Sequence, residues 1–265
     1  MHHRLDGQMG GNKVTFVISP LISLIEDQVT QMNEFIENSA VYFSAGSKNT
    51  DKASMARLKN PLGGICLVYV TPEKINKSKK MMNTLVNLYN ANRLARFVID
   101  EAHCVTQDGH DFRPDYAKLN VLRQKFPQIP IIAVTATANA TVQSAVCKVL
   151  KLQNVKVFRT PGDRANLTYS IRTKPDKADD IVDDIASFIK SKHASEAGIV
   201  YTLSRNDSET VAAALCDRGI VSEPYHSMID ATRKKHVHDS WMRNDTQVVV
   251  ATIAFGMGIN KSNVR

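Results

Sequence analysis

Short apolar runs alternate with longer amphipathic segments along most of the chain, and this rhythm limits the fold more than any other feature. Residues 14–18, 65–70, 96–99, 131–134 and 155–158 read as buried strands. Between them, 21–35, 78–92, 116–125 and 139–150 read as helices. Strands separated by helices pair in parallel, and a parallel sheet needs cover on both faces. The rhythm pauses at Thr160-Pro161-Gly162-Asp163, where breakers cluster, and Leu167, Tyr169 and Ile171 then alternate with polar residues. It restarts with a helix at 176–190 that carries Ile181, Ile185, Phe188 and Ile189. A strand at 198–201, helices at 207–218 and 231–243, and a strand at 247–252 follow. The expectation is an α/β chain of two lobes, 1–165 and 166–265, each a parallel sheet flanked by helices. No short internal repeat is present, though two similar lobes can themselves be a duplicated fold.

The 265 residues suffice for two cores, and 43% apolar with 23% charged residues is an ordinary globular balance. Runs such as 248–255 fall far short of a membrane span. Met1-His2-His3-Arg4 leads into no apolar stretch, so no signal peptide is expected. A net charge of +8 and a pI near 9.3 suit a polyanionic partner, because neutralised phosphates release counterions. Cys66, Cys104, Cys147 and Cys216 form no C-x-x-C pair, which argues against a zinc site and a disulfide framework. They are expected to be buried free thiols in a reducing intracellular compartment.

Open parallel sheets bind ligands beyond the carboxyl ends of their strands, and the informative residues follow strands here. In Asp100-Glu101-Ala102-His103 one carboxylate can hold Mg²⁺ and its neighbour can orient or deprotonate water, which suits phosphoryl transfer. Thr135-Ala136-Thr137 ends the next strand; its hydroxyls can meet the carboxylate edge or cap the helix behind. Ser19-Pro20-Leu21-Ile22-Ser23 and Thr71-Pro72-Glu73-Lys74 each join a strand to a helix, a device for holding a backbone phosphate or simply for capping. The loop 106–114 brings His110, Phe112 and Arg113 together, a mixture able to stack on bases and hold phosphate. In the second lobe, Thr252 opens a loop with Gly256 and Gly258, where backbone can approach a ligand or form a tight turn.

In order, these segments resemble the RecQ family of superfamily 2 DNA helicases, most closely its short eukaryotic subfamily. Residues 19–24 match motif Ia, 69–74 motif Ib, 100–103 motif II, 109–113 the aromatic-rich loop and 133–138 motif III. Residues 198–205 resemble motif IV and 248–261 motif V. The resemblance implies two RecA-like lobes that use ATP and Mg²⁺ to move 3′ to 5′ along single-stranded DNA, unwinding forks or partial duplexes in nuclear recombination and repair. Asp100 would hold Mg²⁺ and Glu101 would activate water. His103, with Thr135, Ala136 and Thr137, would couple the nucleotide to the DNA path. Ser19, Pro20, Ser23, Thr71, Pro72, Glu73, His110, Phe112, Arg113, Ser204 and Arg205 would meet DNA. Thr252, Gly256, Gly258 and Asn260 would face nucleotide or DNA from lobe two.

The sequence departs from the family in four places. Gly7-Gln8-Met9-Gly10-Gly11-Asn12-Lys13-Val14 has Asn12 where a phosphate loop needs its second glycine and Val14 where it needs a hydroxyl. Residues 1–265 also stop just past motif V, before the motif that carries an arginine finger. Asp108 stands where the family's loop usually has tryptophan, and Asn260 where aspartate is commoner. This chain by itself is therefore expected to show no DNA-stimulated ATP hydrolysis. The alternative is a non-catalytic remnant that binds single-stranded nucleic acid.

Overall fold

A computed structural model describes residues 13–44, 50–106, 112–137, 139–160, 166–253, 255, 256, 259 and 261–264. The chain divides into two compact units, Met1–Arg159 and Thr160–Arg265. Each is an α/β unit with a parallel sheet.

The first sheet contains β1 (Val14–Ile18), β2 (Ala40–Phe43), β3 (Leu67–Val70), β4 (Leu94–Ile99) and β5 (Ile131–Ala133), in the order β2-β3-β1-β4-β5. Its helices are α1 (Ile22–Phe35), α2 (Thr50–Lys59), α3 (Pro72–Lys77), α4 (Lys79–Asn90), α5 (Pro114–Ala117), α6 (Asn120–Lys125) and α7 (Ala140–Val149). Alternation along β1 sorts the two faces. Val14, Phe16 and Ile18 join Met81, Leu85 and Leu88 of α4, while Val17 packs with Ile25, Val29 and Met32 of α1. Phe97 lies 6.4 Å from Phe16 and 5.7 Å from Phe126, ring centroid to centroid, and all three rings are buried. Burying each such ring is worth about 1.5–3 kcal/mol.

The second unit has α8 (Ala178–Lys192), β6 (Gly198–Tyr201), α9 (Arg205–Asp217), β7 (Ser222–Tyr225), α10 (Ala231–Met242) and β8 (Val248–Ala251). The strand order is β6-β8-β7. Val248 and Val250 face α8 and α9 through Val182, Ala186, Ala212 and Leu215. Val249 and Ala251 face α10 through Val237 and Trp241. A central strand buried on both faces needs this unbroken apolar run.

Several expectations fail for physical reasons. Residues 155–158 form no strand: Val157 is half exposed and Phe158 is 90% exposed, so no described residue covers the apolar run. Leu167, Tyr169 and Ile171 are likewise exposed and outside any strand. The helix expected at 116–125 is two short pieces, α5 and α6. The sequence pattern does not mark strands β2 and β7 or helix α2, while α3 opens at the strand-to-helix junction expected at Thr71–Lys74. β7 contains Glu223 and Pro224, which suit only an edge strand, and β7 is an edge. The cysteines are free, as expected, but Cys66 and Cys216 are exposed and only Cys104 is buried.

Candidate active site

In the first sheet the chain leaves β1 toward β2 and β3 on one side, and leaves β4 toward β5 on the other. The crevice at the carboxyl ends of β1 and β4 is therefore the topological switch point, where open α/β sheets bind ligands. Ser19 and Asp100 flank it. The wholly buried Ser19 hydroxyl donates to Asp100 Oδ2 at 3.2 Å, and the Glu101 amide donates to Oδ1 at 3.0 Å. Ser19 thus serves Asp100 rather than capping α1, whose N-cap is Leu21 with no side-chain bond. Pro20 is buried beside it and Ser23 lies in the first turn of α1.

Glu101 is the N-cap of a 3₁₀ turn, Ala102–Val105, and holds φ 46°, ψ 46°. That left-handed backbone is costly for a side chain with a Cβ, of order 1 kcal/mol or more, and such outliers gather at functional sites. The turn is held from three sides. Asp100 N–H donates to Ile18 O at 2.9 Å, Ala102 N–H donates to Val134 O at 2.9 Å, and the Tyr116 hydroxyl donates to Asp100 O at 2.9 Å. Burial, then the nearby Cys104 and Asp100 charges, push the Tyr116 phenol well above its usual range. Burial first and Asp100 second raise Tyr69 too.

His103 Nδ1 lies 2.9 Å from Thr135 Oγ1 and 3.2 Å from Glu101 Oε2. Thr137 N–H in turn donates to Thr135 Oγ1 at 3.1 Å. Hydrogen bonds thus connect the carboxylate turn to the segment after β5, with Ala136 exposed between the threonines. The threonines do not cap α7, because Asn139 does so, accepting from Val142 N–H at 2.8 Å.

Arg113 N–H donates to Cys104 O at 3.0 Å, and its guanidinium donates to Pro20 O at 3.0 Å. It ties the segment after β1 to the carboxylate turn. Phe112 is half buried beside it; His110 and Asp108 lie outside the described residues. Thr71, Pro72 and Glu73 open α3 after β3, where the buried Thr71 hydroxyl makes no cap. In the second unit, Ser204 caps α9 by accepting from Asp207 N–H at 3.0 Å, and Arg205 beside it is exposed. Thr252 N–H donates to Tyr225 O at 3.1 Å, and Gly256 takes φ 142°. Gly258 and Asn260 lie outside the described residues. Residue type alone does not mark Tyr116, because its hydroxyl acts on backbone; its place in the loop's Arg-Pro-Asp-Tyr is the available signal.

Asp100 suits a hard divalent cation. Its oxygens accept only a hydroxyl and an amide in the bonds above, and no lysine or arginine pairs with it among the described residues. No cluster of three or more metal-ligating side chains occurs among the described residues. Mg²⁺ does not require one, since it is held through one or two carboxylates, water and substrate phosphates.

The family model for DEAD/DEAH box helicases matches residues 1–145. The chain belongs to the DEAD/DEAH box helicase family. This DEAD/DEAH box chain is 42% identical over 252 residues to ATP-dependent DNA helicase Q-like 2 of Arabidopsis thaliana, covering 95% of itself and 36% of that protein. It is 41% identical to ATP-dependent DNA helicase Q1 of Rattus norvegicus, covering 95% of itself and 40% of the relative. It is 43% identical to RecQ-like DNA helicase BLM of Xenopus laevis, covering 95% and 18%. The RecQ resemblance read from the motifs is matched by these names, and the chain spans well under half of each relative. Among solved structures, Mycobacterium smegmatis helicase Lhr bound to ssDNA and AMP-PNP aligns with a TM-score of 0.67 at 18% identity, over 97% of this chain and 36% of that one. DUF1998 helicase MrfA bound to DNA and AMPPNP aligns at 0.69 with 14% identity, over 97% and 37%. At such identities the likeness establishes the fold: the two units are RecA-like lobes.

Proposed function

We propose that this chain is the motor core of a RecQ-type, ATP-dependent 3′–5′ DNA helicase that acts in nuclear recombination and repair. The observation that carries the reading is the continuous set of contacts at the switch point, from Ser19 through Asp100 and Glu101 to His103 and Thr135. Unit one would be the ATP-binding half and unit two the second helicase half. Asp100 would hold Mg²⁺, with Ser19 fixing the carboxylate. A bound Mg–ATP would supply the phosphoryl group and neutralise its developing charge. Glu101 orients and deprotonates the attacking water. His103 shares its Nδ1 between Glu101 and Thr135, so it relays the state of the base to the segment carrying Thr137. Ser23, Glu73, Phe112 and Arg113 would line the single-stranded DNA path of unit one, with His110, and the buried Pro20, Thr71 and Pro72 would shape the backbone behind it. Ser204 and Arg205 would line the path in unit two, where Thr252 and Gly256, with Gly258 and Asn260, would face nucleotide or DNA.

Residues 1–265 contain no Gly-x-x-x-x-Gly-Lys-Ser/Thr, the loop whose backbone and lysine cradle the β- and γ-phosphates. We expect little turnover from this polypeptide alone, but salt-sensitive binding of single-stranded DNA. The test is ATP hydrolysis with and without single-stranded DNA, beside anisotropy titrations of labelled DNA and RNA strands between about 50 and 200 mM salt. Hydrolysis that disappears in Glu101→Gln would overturn the expected inactivity. Binding indifferent to salt, or stronger for RNA than DNA, would overturn the DNA-helicase reading.

A further inference from the structure

β6 and β8 are paired neighbours that end in register, Tyr201 opposite Ala251. Two loops leave this edge side by side, 202–204 and 252–256. The second begins as a tight turn, closed by Phe255 N–H donating to Thr252 O at 3.1 Å. The Phe255 ring is buried, with centroids 4.6 Å from Tyr225 and 5.4 Å from Trp241. Its backbone is held separately, because the Tyr201 hydroxyl donates to Phe255 O at 2.9 Å.

Gly256 follows immediately, at φ 142°. A Cβ there would stand 2.7 Å from the Tyr201 hydroxyl. Glycine is therefore required twice over, by its own backbone and by the phenol pressed against it. Tyr201 contributes little to the core, being 57% exposed. An exposed ring whose hydroxyl reaches across to the next loop sets that loop's position more than it fills the interior. Both loops carry fully exposed aliphatic tips, Leu203 and Ile253, beside the exposed Ser204 and Arg205.

We propose that Tyr201 is a positioning residue: its hydroxyl fixes the 252–256 turn beside Ser204 and Arg205, so that both loops meet one single-stranded DNA strand as a single edge. The inference rests on the DNA-binding reading of those loops given above. Neither Ser204 nor Thr252 needs to touch Tyr201 for this. The clamp lowers the entropy that the turn would lose on binding, so it acts on affinity through order rather than contact.

The test is Tyr201→Phe in this same chain, which removes one oxygen and keeps the ring. Two quantities are read: backbone hydrogen exchange over 252–256, and affinity for a fluorescein-labelled oligothymidylate at fixed salt. Exchange in the turn is expected to accelerate while β6 and β8 stay protected. Affinity is expected to fall about two- to tenfold, the scale of one hydrogen bond, with the salt slope unchanged. Unchanged exchange would overturn the clamp. Faster exchange with unchanged affinity would make the bond structural only and overturn the positioning role. If the parent chain itself binds no oligothymidylate, the DNA-binding reading falls and this inference with it.

Discussion

The buried hydroxyl of Tyr116 donates to the backbone carbonyl of Asp100 at 2.9 Å, so a residue of the loop helix holds the carboxylate turn from behind. Tyr116→Phe keeps the ring and removes the donor. It should cost about 1–3 kcal/mol, the range for stripping a partner from a buried polar group. The pH dependence has a definite sign. Burial raises the folded phenol above its ordinary value of 10.0, so the unfolded chain releases this proton first as pH climbs. Stability from this group is complete below pH 10 and declines above it. Tyr69, Tyr201 and Tyr225 shift the same way, so the variant should flatten the alkaline decline without abolishing it. Urea unfolding from neutral to alkaline pH measures both; an unchanged alkaline slope would show that Tyr116 is not a source of it.

Arg113 and Arg205 are both proposed to meet DNA, yet their surroundings differ. The Arg113 guanidinium is already bonded to Pro20 O at 3.0 Å, whereas Arg205 is exposed at the start of α9. Arg113→Ala should therefore lower stability by about 1–3 kcal/mol as well as weaken DNA binding. Arg205→Ala should leave stability within about 0.5 kcal/mol and reduce the salt slope of single-strand binding by about 0.7. Unfolding curves and salt titrations of the two variants separate the roles. A stable Arg113→Ala protein would mean that its bond to Pro20 is dispensable.

The aromatic cluster beneath the 252–256 turn gives a third expectation. Phe255 is 3% exposed and contacts Tyr225 and Trp241, while Trp241 Nε1–H donates to Gly198 O at 3.2 Å. Phe255→Ala should cost about 3–5 kcal/mol. Calorimetry should show the loss in the transition of unit two, since Phe255 belongs to the core formed by Val237, Trp241, Val249 and Ala251. A loss below about 1 kcal/mol would mean that the turn collapses to fill the space.

Where the fold was legible in the sequence, burial had imposed a period. Val248–Ala251 and Val14–Ile18 stood out because both faces of each strand are covered. β7 was hidden because an edge strand tolerates Glu223 and Pro224. Residues 155–158 misled because an apolar run looks alike whether or not anything packs on it. At the candidate site, residue types exposed the carboxylates and threonines, but their partners depend on strand order. Sequence alone does not place Ser19, at the end of β1, against Asp100, 81 positions later; the parallel pairing of β1 with β4 does. Capping was equally plausible for Ser19, Thr71 and Thr135, and only the hydrogen bonds decide against it.

Glu101 offers a way to separate stability from chemistry. Its left-handed backbone strains any residue with an ordinary Cβ, and its carboxylate lies 3.2 Å from His103 Nδ1. Glu101→Gln and Glu101→Asn both remove the negative charge opposite His103. They differ in backbone tolerance, because asparagine enters the left-handed region several-fold more readily than most residues. Glu101→Asn should therefore be the more stable of the two by about 0.5–1 kcal/mol. In a full-length protein carrying this core, both should abolish DNA-stimulated ATP hydrolysis, since neither amide can take a proton from water. Chemical unfolding of this chain and hydrolysis by the longer protein read the two effects apart. Were the glutamine variant the more stable, strain at this turn would not be limiting. Were either variant to hydrolyse ATP at the parent rate, Glu101 would not be the base.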